Sequence, residues 1–594
     1  MNLKNFACLF LFTISSIRAS TQIINEECFS FSEVDQYSSL WKQLLVYANS
    51  HIDFTMERKS KTALQIMSSN SEPPVFDSYF LISRYFPLVG DERTVSFELE
   101  SRVKNCLNAF LKITSFDIDE NEIQKDSVLL VNNDKWDSKK ILIDLVGAKL
   151  LKVEISGNSV KDSIFSIWLD ELTIKTERQN LKNETEWGVG SIILQKNILD
   201  SDKVNNTLIG MEASAGEHKI VGIGESIHGC FQFNQFALNM IKTLITNHKF
   251  NLVVFEKPFS EMCLWNLILE DGTYNDLKTL VKRTPILIDP DLLTDFLYWI
   301  KEYNIKHVSN KVTLVGIDAA QKSIERYFIG EYLNFLFQDE NKMLNRIEML
   351  VRLGQFNEVY DYVILNRCEL EKLIGSNHTN NILHSFTLLK DRDKQQVKIH
   401  TYIDFFVRRD EVMWKNLIYV LKEYSHNNNE KVIIYAHLSH LNKITTNESS
   451  FKESLGWYIR QRYDENYFVC GLLGGSGTFS NCVPKKIRAL SAFNNLEQPL
   501  PGSLEYESLN SGKSVFSAPT TSVNGLFMIR NIGNSGSLSW IYCNPQKRMD
   551  SFVFFSIVSG FNIPLSWKNY LEHPYKELEQ RNGKRIKELW NSAK

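Results

Sequence analysis

The chain has 594 residues, 43% of them hydrophobic and 23% charged, which is too long for one core and ordinary for a globular protein, so two or three domains are expected. A formal net charge of -3, with no basic stripe interleaved with aromatics, argues against a nucleic-acid partner. No stretch is long and apolar enough to span a membrane as a helix.

Residues 1–19 read as an export signal. Lys4 supplies a charge, Phe6 to Ile14 is a short apolar core, and Ser15 to Ala19 is a small-residue region suited to cleavage. The expectation is a secreted or periplasmic protein. Cys8 would leave with the signal. The remaining eight cysteines are scattered with no C-x-x-C spacing, which speaks against zinc-ribbon and thioredoxin chemistry. They leave room for one or two disulfides, and otherwise pack as small hydrophobes.

From 20 to 176 the pattern is short and alternating. Thr94 to Glu100, Asp126 to Val131, Lys140 to Val146, Leu150 to Ile155 and Ile164 to Ile174 read as strands between polar turns. This predicts an all-β domain, most simply a two-sheet sandwich. With Trp41, Ile52-Asp53, Lys61 to Ile66 and Trp168 to Ile174, it resembles the jelly-roll sandwiches found beside carbohydrate-active enzymes. That resemblance implies either sugar binding or a structural spacer.

Residues 177–206 are polar and read as a linker. From 207 to 573 strands alternate with helices, which predicts a largely parallel sheet covered by helices, an α/β domain. A mostly helical insertion spans about 320–405, and 574–594 reads as a charged amphipathic C-terminal helix.

The strand ends of this second domain carry the chemistry. Ile220 to Gly224 ends at Glu225 and His228, Asn251 to Phe255 at Glu256, and Lys311 to Ile317 at Asp318. Lys431 to Ala436 ends at His437, with His440 three further on, and Tyr467 to Leu473 runs into Gly474-Gly-Ser-Gly477. Ligands bind beyond the carboxyl ends of the strands in open parallel sheets. Singly, His228 reads equally as a core histidine, Glu256 as a helix-capping carboxylate and Asp318 as a turn residue. Jointly they predict a polar cleft, with Glu225 and His228 as an orienter and base. No Gly-x-Ser-x-Gly elbow is present, so a serine triad is not predicted.

These elements together resemble the erythromycin esterase family. The family's G-E-x-x-H-G turn is matched by Gly224 to Gly229, and its strand ending in Glu by Val253 to Glu256. Its G-x-D is matched by Gly316 to Asp318, its R-D-x-x-M-x-x-N helix by Arg409 to Asn416, and its paired-His element by Ala436 to His440. The resemblance implies a hydrolase that opens an ester or lactone with no required cofactor, acting on a small-molecule or saccharide-like ester. His228 would activate water, and Glu225 would orient it. Glu256 and His437 or His440 would complete the cage, with Asp318, Arg409, Asp410 and Gln232 in support. A second histidine could donate to the developing oxyanion.

Three positions depart from the family pattern. Gln232 and Ala237 stand where an acidic residue and an arginine are often found, and Leu438 replaces an asparagine between the histidines. These departures point away from a macrolide as substrate. The alternatives are a metal-dependent hydrolase, with Mn or Zn on Glu225, His228, Glu256 and His437 or His440, and a non-catalytic carbohydrate- or ligand-binding homologue. Arg408 and Arg409 read either as a source of positive charge for the cleft or as a helix-surface ion pair with Asp404 or Asp410.

Overall fold

The computed structural model describes residues 26–30, 42–46, 48–53, 63–68, 79–88, 94–159, 165–176, 191–192, 211–283, 288–318, 322–336, 341–396, 402–424, 431–446, 453–482, 490–533, 538–564, 580 and 583–589. The export-signal reading of 1–19 lies outside these residues. The chain divides into two compact units, Met1–Val189 and Gly190–Lys594.

The first unit is all β. One sheet runs in the order Ala48–Asp53, Ala63–Ser68, Ser166–Thr176, Thr94–Lys104, Asn133–Asp144, with Glu26–Ser30 also paired to Ser166–Thr176. The other runs Lys42–Val46, Tyr79–Pro87, Leu150–Ser159, Cys106–Phe116, Glu122–Leu129. All these pairings are antiparallel. Alternate residues of both sheets, among them Phe97 and Ile167 from one and Ile113 and Val153 from the other, meet in a single core. That is how two sheets, each apolar on one face, make a sandwich.

The second unit is built on β1 (Ile220–Glu225), α1 (Phe231–His248), β2 (Leu252–Pro258), α2 (Phe259–Asp271), α3 (Tyr274–Arg283), α4 (Pro290–Lys306) and β3 (Thr313–Asp318). An all-helical run follows: α5 (Lys322–Leu336), α6 (Lys342–Arg352), α7 (Phe356–Leu365), α8 (Arg367–Ile374), α9 (Ser376–Gln396) and α10 (Tyr402–Tyr424). Then come β4 (Val432–His437), α11 (Leu455–Tyr463), β5 (Tyr467–Cys482), β6 (Leu490–Leu496), β7 (Val515–Pro519), the hairpin β8 (Phe527–Ile532) and β9 (Leu538–Cys543), and β10 (Ser551–Val558). The main sheet runs β3-β2-β4-β1-β5-β10-β7. Its first six strands are parallel, while β7 on β10 and β6 on β5 are antiparallel. Every residue of β1 and of β4 is buried, as expected of central parallel strands covered on both faces.

Two predicted boundaries change. The strand expected to stop at Leu473 continues as β5 to Cys482. The Gly474 to Gly477 run is therefore inside the sheet, where a Cβ on Gly477 would collide with the Val558 carbonyl and φ is +120°. Within the linker reading of 177–206, Ser191–Ile192 already pairs with Val523–Asn524 and belongs to the second unit. Residues 583–589 are helical, and Arg585 binds Glu348 of α6. Cys106, Cys230, Cys263, Cys368, Cys470 and Cys543 are free thiols. No described helix is long and apolar enough to cross a membrane.

Candidate active site

The site forms where β1, β2, β3 and β4 end together. Parallel pairing places Glu225 of β1 directly beside His437 of β4. The turns after the two strands touch, because β1 carries glycine at 224. A Cβ there would lie 2.7 Å from Leu438 Cδ1 and 3.0 Å from Leu438 Cα. Gly229, at φ +76°, then swings the chain into α1, and a Cβ on it would strike the Ser480 carbonyl.

Two linked clusters result. In the first, His228 Nδ1 lies 2.5 Å from Glu225 Oε1, and the His228 and His437 rings are 4.7 Å apart, centre to centre. Burial alone would lower the His228 pKa. The Glu225 carboxylate, helped by Glu256, outweighs this and holds it above the usual 6.5. His437 goes the other way: burial and the neighbouring His228 push its pKa well down, so its ring is neutral. The Ser439 amide donates to His437 Nδ1 at 3.3 Å, which leaves the ring proton on Nε2. Nε2 is buried without a well-formed hydrogen bond. The Ser226 carbonyl, which accepts from the Ile532 amide, is the backbone acceptor beside the ring. His437 thus presents a weakly engaged donor beside the His228 ring.

The second cluster fixes the first. Arg409 of α10 donates through Nε and Nη2 to Asp318 at 2.7 and 3.0 Å, and through Nη2 to Glu256 Oε1 at 2.7 Å. Glu256 Oε2 accepts the His437 backbone amide at 3.0 Å, so the Arg409 fork reaches the His437 turn through one carboxylate. Burial disfavours charge on both partners, but their mutual attraction wins. Glu256, also held by His440, lies well below the usual carboxylate range, and Arg409 well above its own. His440 Nδ1 is 2.6 Å from Asp410 Oδ1, and Asp410 Oδ2 caps α11 at Leu455 N.

At His440 Nε2 two readings compete. Arg409 Nη1 at 3.0 Å would suit a neutral ring, while Glu256 Oε1 at 3.4 Å suits a protonated one. Glu225, Glu256, Asp318 and Asp410 outnumber Arg409 in charge. We therefore take the ring as protonated: burial opposes it, but Asp410 and Glu256 lift the pKa to about 10.

A small recess runs along the same two turns, lined by Ser226, Leu438, Ser439 and Asn531 among others. Ser226 Oγ is buried there without a partner.

Residues 245–558 match the erythromycin esterase family. The chain belongs to that family. No curated protein matches it. Among solved structures it is similar to a Bacillus cereus protein (18% identity, 63% of this chain and 96% of that one, TM-score 0.47). It is also similar to a mutant of the erythromycin esterase EreC in its open conformation (17%, 61% and 96%, TM-score 0.41). A carbohydrate-binding module in complex with β-1,4-galactotriose shares 12% identity over 25% of this chain and 94% of that one, with a TM-score of 0.19.

Eight of the nine residues named from the sequence of this erythromycin esterase family member converge: Glu225, His228, Glu256, Asp318, Arg409, Asp410, His437 and His440. Gln232 does not join them. Its amide binds the backbone and hydroxyl of Ser559, tying the start of α1 to the end of β10. Ala237 is fully buried in the core rather than on a cleft wall. Arg409 pairs with Asp318 and Glu256 rather than with Asp410, and the Asp404 side chain lies outside the described residues. The carboxylates of the alternative metal set are hydrogen-bonded within the protein, Glu225 to His228 and Tyr435 and Glu256 to Arg409 and His437. Among the described residues no three of His, Cys, Asp and Glu are grouped so as to hold a metal ion. Sequence reading missed Tyr435 and Asn234, which lie under Glu225. The signal available was a lone tyrosine in an aliphatic strand, whose buried hydroxyl requires a partner.

Proposed function

We propose that this protein is an exported hydrolase of esters or lactones that works by general-base activation of water at His228, without a metal. The observation that carries the reading is the buried pairing of a carboxylate-held imidazole, His228, with a neutral one, His437, whose ring Nε2 makes no well-formed hydrogen bond.

In the proposed reaction His228 Nε2 takes a proton from water as the water oxygen attacks the ester carbonyl carbon. The C=O π pair moves onto oxygen, and the His437 Nε2–H donates to that oxyanion. Glu225 holds the Nδ1 proton of His228 and stabilises the imidazolium that forms. On collapse the carbonyl re-forms, the C–O bond to the alcohol breaks, and His228 returns its proton to the departing oxygen. The acid product and the alcohol account for the water consumed. Arg409, Glu256 and Asp318 touch no reacting atom in this scheme; they hold the His437 turn in place. The absence of an asparagine at 438, on the turn between the paired histidines, favours a substrate other than a macrolide.

The test is a panel of simple esters, acylated sugars and lactones with purified full-length protein. Wild type should turn over at least one class. The His228→Asn variant should lose turnover by about 10³-fold or more while its melting temperature stays within a few degrees. Metal analysis of protein purified without chelator accompanies it. Stoichiometric Mn or Zn would defeat the metal-free scheme, and an inert wild type would remove the hydrolase reading altogether.

A further inference from the structure

A chain of hydrogen bonds runs from Glu225 back to the start of α4. Tyr435 Oη and Glu225 Oε2 are 3.0 Å apart, Asn234 Nδ2 and Tyr435 Oη 3.0 Å, and the Asp289 amide and Asn234 Oδ1 3.0 Å. Asp289 in turn caps α4 through Asp291 N and Leu292 N. Asn234 is 0% and Tyr435 4% exposed, so no water competes for these partners.

The donors and acceptors along this chain can be assigned without choice. A backbone N–H only donates, so the Asp289 amide fixes which end of the Asn234 side chain is oxygen. The Asn234 Nδ2, which also only donates, must then give to the Tyr435 oxygen. The phenol has one proton, and Glu225 Oε2 is the acceptor left for it. With the other Glu225 oxygen on His228, the carboxylate is gripped at both ends.

We propose that Tyr435, itself set by Asn234, is the positioning residue that fixes the Glu225 carboxylate and tunes the proton affinity of His228. Tyr435 reaches no reacting atom and acts only through Glu225. The inference rests on the base role given to His228, but its central test does not. Removing the phenol proton from a buried carboxylate leaves its charge less dispersed, so the Glu225–His228 pair holds its shared proton more tightly. The other titratable groups facing His228 are Glu256, His437 and His440, and Cys230 lies beside Tyr435 and Glu225. None of these is altered by changing Tyr435.

The experiment is an NMR titration of histidine-labelled full-length protein, with the His228 signal assigned by its loss in His228→Asn. In Tyr435→Phe the His228 titration should move up by about one pH unit, the order expected for losing one hydrogen bond to a charged group. Asn234→Leu should move it the same way by less, and adding it to Tyr435→Phe should change little, because both act on one chain of bonds. An unmoved His228 titration in a folded Tyr435→Phe protein overturns the proposal, as does a downward shift. Should Asn234→Leu fail to fold, the Tyr435→Phe titration alone decides. An enzyme that hydrolyses nothing would sink the proposed function yet leave this titration to be read. Where an ester is turned over, the acid limb of kcat should follow the same shift with KM unchanged, whereas a merely structural loss lowers kcat equally at every pH.

Discussion

At the scale of single residues, the two histidines at the end of β1 and β4 are chemically different because their surroundings are. His228 faces Glu225 and is lifted; His437 faces His228 and is lowered. The base must be unprotonated to act, so hydrolysis should be weak below pH 6.5 and rise through an acid limb lying above that value; a limb at or below 6.5 would contradict the assignment. His437→Ala should cut kcat by about 10²–10³-fold, the usual cost of losing one oxyanion donor, with little change in KM. His437→Gln, which keeps an N–H of similar reach, should recover part of that loss. Arg409 is different in kind. Removing it leaves the partly buried Asp318 without its ion pair and Glu256 with only His440 and the His437 amide, so Arg409→Met should cost about 3 kcal/mol of stability by denaturant titration. Arg409→Lys keeps the charge but not the fork that serves Asp318 and Glu256 together, and should fall between.

At the scale of elements, the site depends on how closely the β1 and β4 turns approach. Gly224→Ala forces a Cβ against the Leu438 backbone, which cannot move without carrying His437 with it. We expect a loss of about 1–3 kcal/mol and a larger fractional loss of activity than of stability. Gly229→Ala adds a strained φ to its collision with Ser480 and should be the more destabilising of the two. These elements also explain what could be read from the sequence. Strand ends with Glu225, Glu256, Asp318 and His437 were legible because a buried parallel strand is a continuous apolar run, and the first charge after it marks the end. Arg409 was legible as a residue but not as a partner, since nothing in a helix sequence says which of two carboxylates 91 or 153 positions away it will meet. Tyr435 and Asn234 were hidden because a tyrosine suits any strand and an asparagine in a helix reads as surface. Gln232 misled because its place beside the turn says nothing of its partner, Ser559, 327 positions on. The Gly474 to Gly477 run misled because glycine marks a turn and a close approach within a strand equally well.

At the scale of the whole molecule, two separate cores predict two unfolding events. Among the described residues, the first unit's core draws on residues between Leu64 and Ile174, and the second unit's on residues between Met211 and Ile563. Calorimetry of the full chain should therefore resolve two transitions, one of them reproduced by residues 190–594 expressed alone. Their pH dependence should differ, and the signs follow from the groups each buries. In the second unit His228 and His440 have raised pKa values, His440 to about 10. Their contribution is complete below the unfolded value of 6.5 and is lost as pH rises through the folded values. In the first unit Glu154, buried between Lys152 and Lys112, is lowered to about 2 despite its desolvation. Its contribution is present above 4.5 and lost only as pH falls toward 2. Between pH 7 and 8.5 the transition of the second unit should thus move down by a few degrees while that of the first holds still. If His228 is the base, activity would rise with pH while the second unit, which carries it, loses stability. Two transitions that move together, or one that cannot be resolved into two, would show that the units share their stability.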